Sequence, residues 1–313
     1  MSVRFLLFTI LLLAPTMGLF GQLRQEPAVL PTESGDIQGS LLIPQGIENP
    51  EVVLIIAGSG PTDRNGNFPN GVNNSLKLLA EGLYQNKIAT LRYDKRGIGE
   101  STTAGMAESE LRFEHYVNDA VAWAKWLQKD GRFGKLTILG HSEGSLIGMI
   151  ASKEVNANRF VSVAGPGIPA GELIRTQLKE QPPAILEMAN PILDSLENGK
   201  SVQEVPQMLS MLFRSSVQPY MISWFRYNPQ NEIAKLNCPV LIVQGTTDMQ
   251  VSETDAEKLH EAFPNAQKVL IQEMNHVLKP ASSNKMQNLM TYSNPDLPLA
   301  DGLLEVLTDF IQD

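Results

Sequence analysis

The sequence has one cysteine, Cys238, so no intrachain disulfide can form. Cys238 precedes Pro239 and an apolar run, where it reads as a small buried hydrophobe rather than a reactive thiol. There are only four histidines, no H-x-x-x-H pair and no cluster of Cys and His, so the patterns of a metal centre are missing and no cofactor is expected. No run of Lys and Arg interrupts a formal charge of −9, which removes the electrostatic footprint for nucleic acid or anionic lipid. No internal repeat and no low-complexity tract appears. What is present is ordinary globular composition, 42% hydrophobic and 19% charged over 313 residues, enough for one large α/β domain or two small ones.

The N-terminus reads as a targeting signal. Arg4 precedes the apolar run Phe5–Ala14, and Pro15 and Gly18 then break the pattern. The run is shorter than the roughly 20 residues of a comfortable membrane span, so no stable membrane anchor is expected. Cleavage after Gly21 would make residues 1–21 a signal peptide and the protein periplasmic or extracellular. An uncleaved N-terminal anchor is the other reading, and it too places the body outside the cytoplasm.

Beyond the signal, strand and helix patterns alternate. Residues 28–43 read as a hairpin around Ser34-Gly35-Asp36. Strands are expected at 52–57, 88–93, 135–139, 159–164, 239–244 and 268–272. Helices are expected at 75–85, 113–128, 144–152, 252–263 and 301–312. This order implies an α/β fold with a mostly parallel sheet covered on both faces. Residues 166–236 are the exception. They hold no strand-like run and are too long for a plain loop, so they read as a helical insertion into a core made of 22–165 and 237–313.

One pentapeptide carries chemistry. Gly140-His141-Ser142-Glu143-Gly144 lies between an expected strand and an expected helix, the context a G-x-S-x-G nucleophile elbow requires. The sharp turn lifts the Ser142 hydroxyl above the carboxyl edge of the sheet and aims a helix N-terminus at the reaction centre. A serine needs a base. His141 lies within the elbow, turned away from Ser142, and His115 and His260 lie in amphipathic helices. His276 follows the last expected strand, on the edge where sites of open α/β sheets form, and is the candidate base. Asp248 follows the strand at 239–244 on the same edge and is the candidate orienting acid, with Glu253 and Asp255 in the next helix as weaker rivals. The oxyanion donors are expected to be the backbone N–H of Glu143 and one from the loop after strand 52–57, at Ser59 or Gly60.

With Ser142, Asp248 and His276 in that order, the chain resembles the α/β-hydrolase superfamily over essentially all of its length beyond the signal. Gly58-Ser59-Gly60-Pro61-Thr62-Asp63-Arg64-Asn65-Gly66-Asn67 resembles the G-S-G-P-x-D-R-D-G-N segment of a subgroup of bacterial esterases often labelled serine aminopeptidase-like, with Asn65 where that pattern has Asp. Tyr93–Ser101 is similar to the D-x-R-G-x-G-x-S turn of the superfamily, which implies a bracing role for Asp94 and Arg96. Ala57-Gly58 stands where typical lipases have His-Gly. The resemblance implies an eight-stranded core sheet and a helical cap over the site, with Met208, Met211, Phe213, Met221, Trp224 and Phe225 as candidates to line it or to pack the cap's own core. It further implies a small-molecule ester as substrate. A serine aminopeptidase on the same residues is the alternative, with Glu143, Glu172, Glu180 or Glu187 holding the substrate ammonium. A non-catalytic hydrolase-fold binding protein is a third reading, disfavoured by the intact set of three residues.

Overall fold

The computed structural model describes Leu23 and residues 25–313. The segment read as an export signal lies outside the described residues. The described part begins with a hairpin, β1 (Gln25–Thr32) and β2 (Gly35–Leu42), paired antiparallel from Gln25 opposite Leu42 to Thr32 opposite Gly35. It then alternates β3 (Val52–Ile56), α1 (Ser75–Gln85), β4 (Ala89–Tyr93), α2 (Phe113–Lys129), β5 (Leu136–His141), α3 (Glu143–Val155) and β6 (Arg159–Val163). Five helices follow: α4 (Ala170–Leu178), α5 (Pro183–Glu197), α6 (Ser210–Phe213), α7 (Gln218–Trp224) and α8 (Pro229–Ile233). The chain closes with β7 (Val240–Gly245), α9 (Glu253–Ala262), β8 (Gln267–Ile271), α10 (Lys285–Thr291) and α11 (Leu303–Gln312).

The eight strands form one sheet in the order β1-β2-β4-β3-β5-β6-β7-β8. Only β1–β2 and β2–β4 are antiparallel, and every other pair is parallel. Each parallel crossover needs a helix, and the helices divide between the two faces. Alternating side chains of β3 show this directly. Val52, Leu54 and Ile56 join the core under α2 and α3, while Val53 and Ile55 join the core under α1 and α11. A strand buried on both faces has no use for a polar residue, which is why Val52–Ile56 is an unbroken apolar run.

Strand β8, expected at 268–272, is present at the edge of the sheet, where Leu270 is 37% exposed. Helix α10 was not expected at all. It is seven residues long, and its Met286, Leu289 and Met290 face solvent, so no amphipathic period marks it.

Helices α4 to α7 have a core of their own, built from Ile174, Ala189, Ile192, Leu193, Leu196, Leu209, Phe213 and Met221, whereas Ile233 of α8 joins the core of the sheet. Phe213 and Met221 are therefore packing residues. Met208 and Met211 point into solvent. Trp224 leaves this unit and stacks on Phe113 of α2 at 6.3 Å, and the Ser223 hydroxyl accepts the Phe113 N–H at 2.8 Å. Truncating Phe213 to Ala removes the largest fully buried side chain of this small core. A loss of about 3–5 kcal/mol is expected for such a truncation. It should appear as new protease cuts concentrated in 170–233, mapped by mass spectrometry, with the sheet still resistant.

Candidate active site

The chain turns from β5 into α3 through a single residue, Ser142. Its backbone has φ 56° and ψ −125°, a region that costs an L-residue strain and persists only where surroundings enforce it. The enforcement comes from two glycines. A Cβ on Gly140 would overlap the Gly144 carbonyl, and a Cβ on Gly144 would overlap the carbonyl of Ile56 in the next strand. Only hydrogen at both positions lets α3 start this close to the sheet. The Ser142 N–H is satisfied by Val163 O at 3.0 Å, so the turn is also tied to β6.

Two later loops reach the same edge. His276 Nε2 lies 3.1 Å from Ser142 Oγ, and His276 Nδ1 lies 2.8 Å from Asp248 Oδ2. The structure thus brings together the three residues picked from sequence. Asp248 has its side chain sealed from solvent. Burial pushes its carboxyl up. The charge and hydrogen bond of His276, with the N–H groups of Val251 and Gln250, outweigh that and hold it below the ordinary value. Its Oδ1 accepts from Gln250 N at 2.8 Å and Val251 N at 3.0 Å, which fixes the rotamer that faces His276. Asp255, the rival acid, is used elsewhere. It closes a capping box with Ser252 at the start of α9 and accepts the Gly167 N–H at 3.0 Å. Glu253 is exposed.

Several contributors had no signal in the sequence. His141 is buried, with Nε2 2.7 Å from the carbonyl of His276. A carbonyl only accepts, so Nε2 carries the proton and the ring braces the His276 backbone. Burial first, then the neighbouring His276, lower the His141 pKa to about 4. Asn275 folds the histidine loop by accepting the N–H groups of Val277 (3.2 Å) and Lys279 (3.1 Å), and donates to Asn288 on α10 at 3.0 Å. Asn288 also donates to Thr247 O at 2.8 Å, so the unforeseen helix α10 couples the loop of the acid to the loop of the base. These are ordinary polar residues in loops, and only their spatial convergence marks them.

At the oxyanion position, Glu143 is the first residue of α3, so its N–H has no partner within the helix. The loop after β3 passes close by. A Cβ on Gly58 would sit 3.0 Å from Ser142 Cβ, and Ser59 and Gly60 are exposed beyond it. The Glu143 side chain turns inward, accepting the Tyr220 hydroxyl of α7 at 2.5 Å. Asp94 and Arg96 brace as the resemblance implied. Asp94 accepts the N–H groups of Arg64 (2.7 Å) and Glu100 (2.9 Å), and Arg96 pairs bidentately with Asp119 at 2.8 and 2.5 Å. No group of His, Cys, Asp and Glu arranged to hold a metal occurs among the described residues.

A parallel sheet with a strained strand-to-helix serine, and an acid and a histidine delivered by the loops after β7 and β8, is a known architecture. The fold is that of α/β hydrolases, and models of two serine-hydrolase families match parts of the chain. A family described as serine aminopeptidase, S33, matches residues 73–214, which contain Ser142, and the serine hydrolase family FSH1 matches residues 184–289, which contain Asp248 and His276. The chain is 27% identical over 257 residues to esterase EstD of Thermotoga maritima, an alignment covering 77% of this chain and 58% of EstD. The chain thus spans less than two thirds of that relative's length. Among solved structures, Est1E of Butyrivibrio proteoclasticus with bound ferulic acid superposes with a TM-score of 0.60 at 15% identity, covering 91% of this chain and 96% of Est1E. The α/β hydrolase GrgF of Penicillium sp. sh18 gives 0.60 at 17% identity, covering 93% and 98%. The Pyrococcus furiosus esterase Pf2001 gives 0.55 at 16%, covering 82% and 84%. At such identities these structures speak for the fold alone.

His141 has a measurable signature. Above pH 6.5 the imidazole is neutral folded and unfolded. Between pH 6.5 and about 4 the unfolded ring takes up a proton that the folded ring refuses, so stability falls as pH falls, by on the order of 3 kcal/mol in all. His141→Gln keeps a donor for His276 O but cannot titrate. Urea unfolding of the two proteins should show a shallower loss for the variant across that window.

Proposed function

We propose that the hydrolase is an exported carboxylic-ester hydrolase acting on short to medium acyl chains. The observation that carries this reading is the hydrogen-bonded relay Ser142–His276–Asp248. In it, His276 takes the Ser142 proton as Oγ attacks the ester carbonyl, and Asp248 holds the ring and stabilises the imidazolium. The tetrahedral oxyanion is received by the N–H of Glu143 and a second donor from the loop at Ser59–Gly60. The intermediate collapses as His276 returns the proton to the leaving alkoxide, leaving an acyl group on Ser142. Water, deprotonated by His276, then releases the acid and regenerates the serine. The similarity to esterase EstD supports an ester substrate. The Phe5–Ala14 run after Arg4 supports export. The helices between β6 and β7 act as a cap, with α7 in contact with Glu143 through Tyr220.

The family label of serine aminopeptidase favours a second reading, a peptidase that removes N-terminal residues. Such an enzyme needs a carboxylate free to hold an ammonium. Glu143 is buried and bonded to Tyr220, while Glu172 and Glu180 are exposed beside Lys258 and Lys285 and Glu187 is exposed. These placements favour the ester.

Ser142→Ala should abolish hydrolysis of p-nitrophenyl acetate and butyrate, and Asp248→Asn should lower kcat by on the order of 10³–10⁴. Full turnover by Ser142→Ala would refute the mechanism. Assayed side by side, p-nitrophenyl esters should exceed aminoacyl-p-nitroanilides in kcat/KM, and the reverse order would favour the peptidase.

A further inference from the structure

Lys95 has no part in the mechanism above, yet it is 1% exposed and sits directly beneath it. It follows Asp94 at the end of β4, inside the Tyr93–Ser101 turn. A lysine this deep needs acceptors, and it has two of one kind. Its Nζ donates to Gly58 O at 2.5 Å and to Gly60 O at 2.9 Å, the carbonyls on either side of Ser59. The ammonium is balanced by Glu143 Oε2 at 3.9 Å and by the face of the Tyr116 ring at 5.1 Å. Glu143 Oε2 has no hydrogen-bond partner, so the Lys95 charge is its main compensation.

The planarity of the peptide unit turns these contacts into a statement about the site. No cis peptide bond occurs among the described residues, so the C=O of Gly58 and the N–H of Ser59 point in opposite directions. Drawing Gly58 O inward onto Lys95 drives the Ser59 N–H outward, toward the side on which Ser59 is exposed and where Gly58 lies against Ser142. Gly60 O is opposite Pro61 N, which carries no hydrogen, so its bond to Lys95 anchors the loop without aiming a donor. The Gly60 N–H belongs to the peptide of Ser59 O, and that carbonyl is held instead by the Thr62 hydroxyl at 2.8 Å.

We propose that Lys95 is a positioning residue that presets the oxyanion hole, selecting the N–H of Ser59 rather than that of Gly60 as the partner of the Glu143 N–H. The same lysine faces the side chain of Glu143, so one buried cation holds the two donor-bearing segments at a constant separation. The donors are in place before substrate arrives, and no reorganisation is needed as charge develops.

The inference rests on the Ser142 mechanism, and the experiment separates the two. Lys95→Met alone leaves Glu143 buried without its counter-charge, so the informative variant is Lys95→Met/Glu143→Gln, compared with Glu143→Gln. The double variant should lose on the order of 10²-fold in kcat, the scale of one oxyanion donor, with KM changed less than about threefold. Its affinity for a trifluoromethyl ketone, which forms a tetrahedral oxyanion adduct on the serine, should fall by the same factor as kcat/KM. A structural defect unrelated to the oxyanion would not move these two quantities together. Retention of both within threefold of Glu143→Gln, with Ser142→Ala inactive, overturns the role of Lys95 alone, whereas an active Ser142→Ala overturns the mechanism beneath it. A crystal structure of the wild-type adduct tests the same point without any variant. The oxyanion should bond to Ser59 N and Glu143 N with Lys95 still on Gly58 O, and a bond from Gly60 N in place of Ser59 N would refute the proposal.

Discussion

The strained backbone of Ser142 is the constraint on which the site depends. A non-glycine residue at φ 56° and ψ −125° is unfavourable in isolation, and it is held there because β5 and α3 are each locked before and after it. β5 is central in the sheet, bonded to β3 and β6, and α3 rides on it through glycines that admit no Cβ. The strain is therefore sustained by burial on both faces of the sheet. It delivers a hydroxyl and a free helix N–H to one point in space, which no relaxed turn would do.

Around that point the hydrogen bonds form a closed circuit. Asp248 is fixed by the backbone of its own loop, His276 by Asp248 and by the ring of His141, and the two loops by Asn288. Beneath it, Lys95 and Glu143 form a second, buried pair, which Tyr220 connects to the helices inserted between β6 and β7. Buried charge is costly unless compensated, so this pair has little freedom to rearrange. The upper circuit carries the proposed proton transfer and the lower one the geometry of the proposed oxyanion hole.

The periodic parts of the fold were legible because a doubly covered parallel sheet writes itself into sequence. Val52–Ile56, Val240–Val243 and the helix Ser75–Gln85 need apolar residues at set intervals, and they have them. Failures fell where that pressure is weak. α10 turns its methionines to solvent, and Met208 and Met211 of the insertion do the same. Apolar residues there do not report burial.

Chain order and local context were enough to single out Ser142, Asp248 and His276, because each must follow a strand at the carboxyl edge, and strands are readable. Local sequence cannot show that His141 supports the carbonyl of a residue 135 positions away, or that Asn288 joins two loops. Nor can it show that Lys95 lies under Gly58 rather than in solvent, or choose between the N–H groups of Ser59 and Gly60. Those are non-local hydrogen bonds between residue types common on any surface. They exist only once the sheet order has brought β3, β4 and β5 side by side and β7 and β8 beyond them, so the tertiary structure alone decided them.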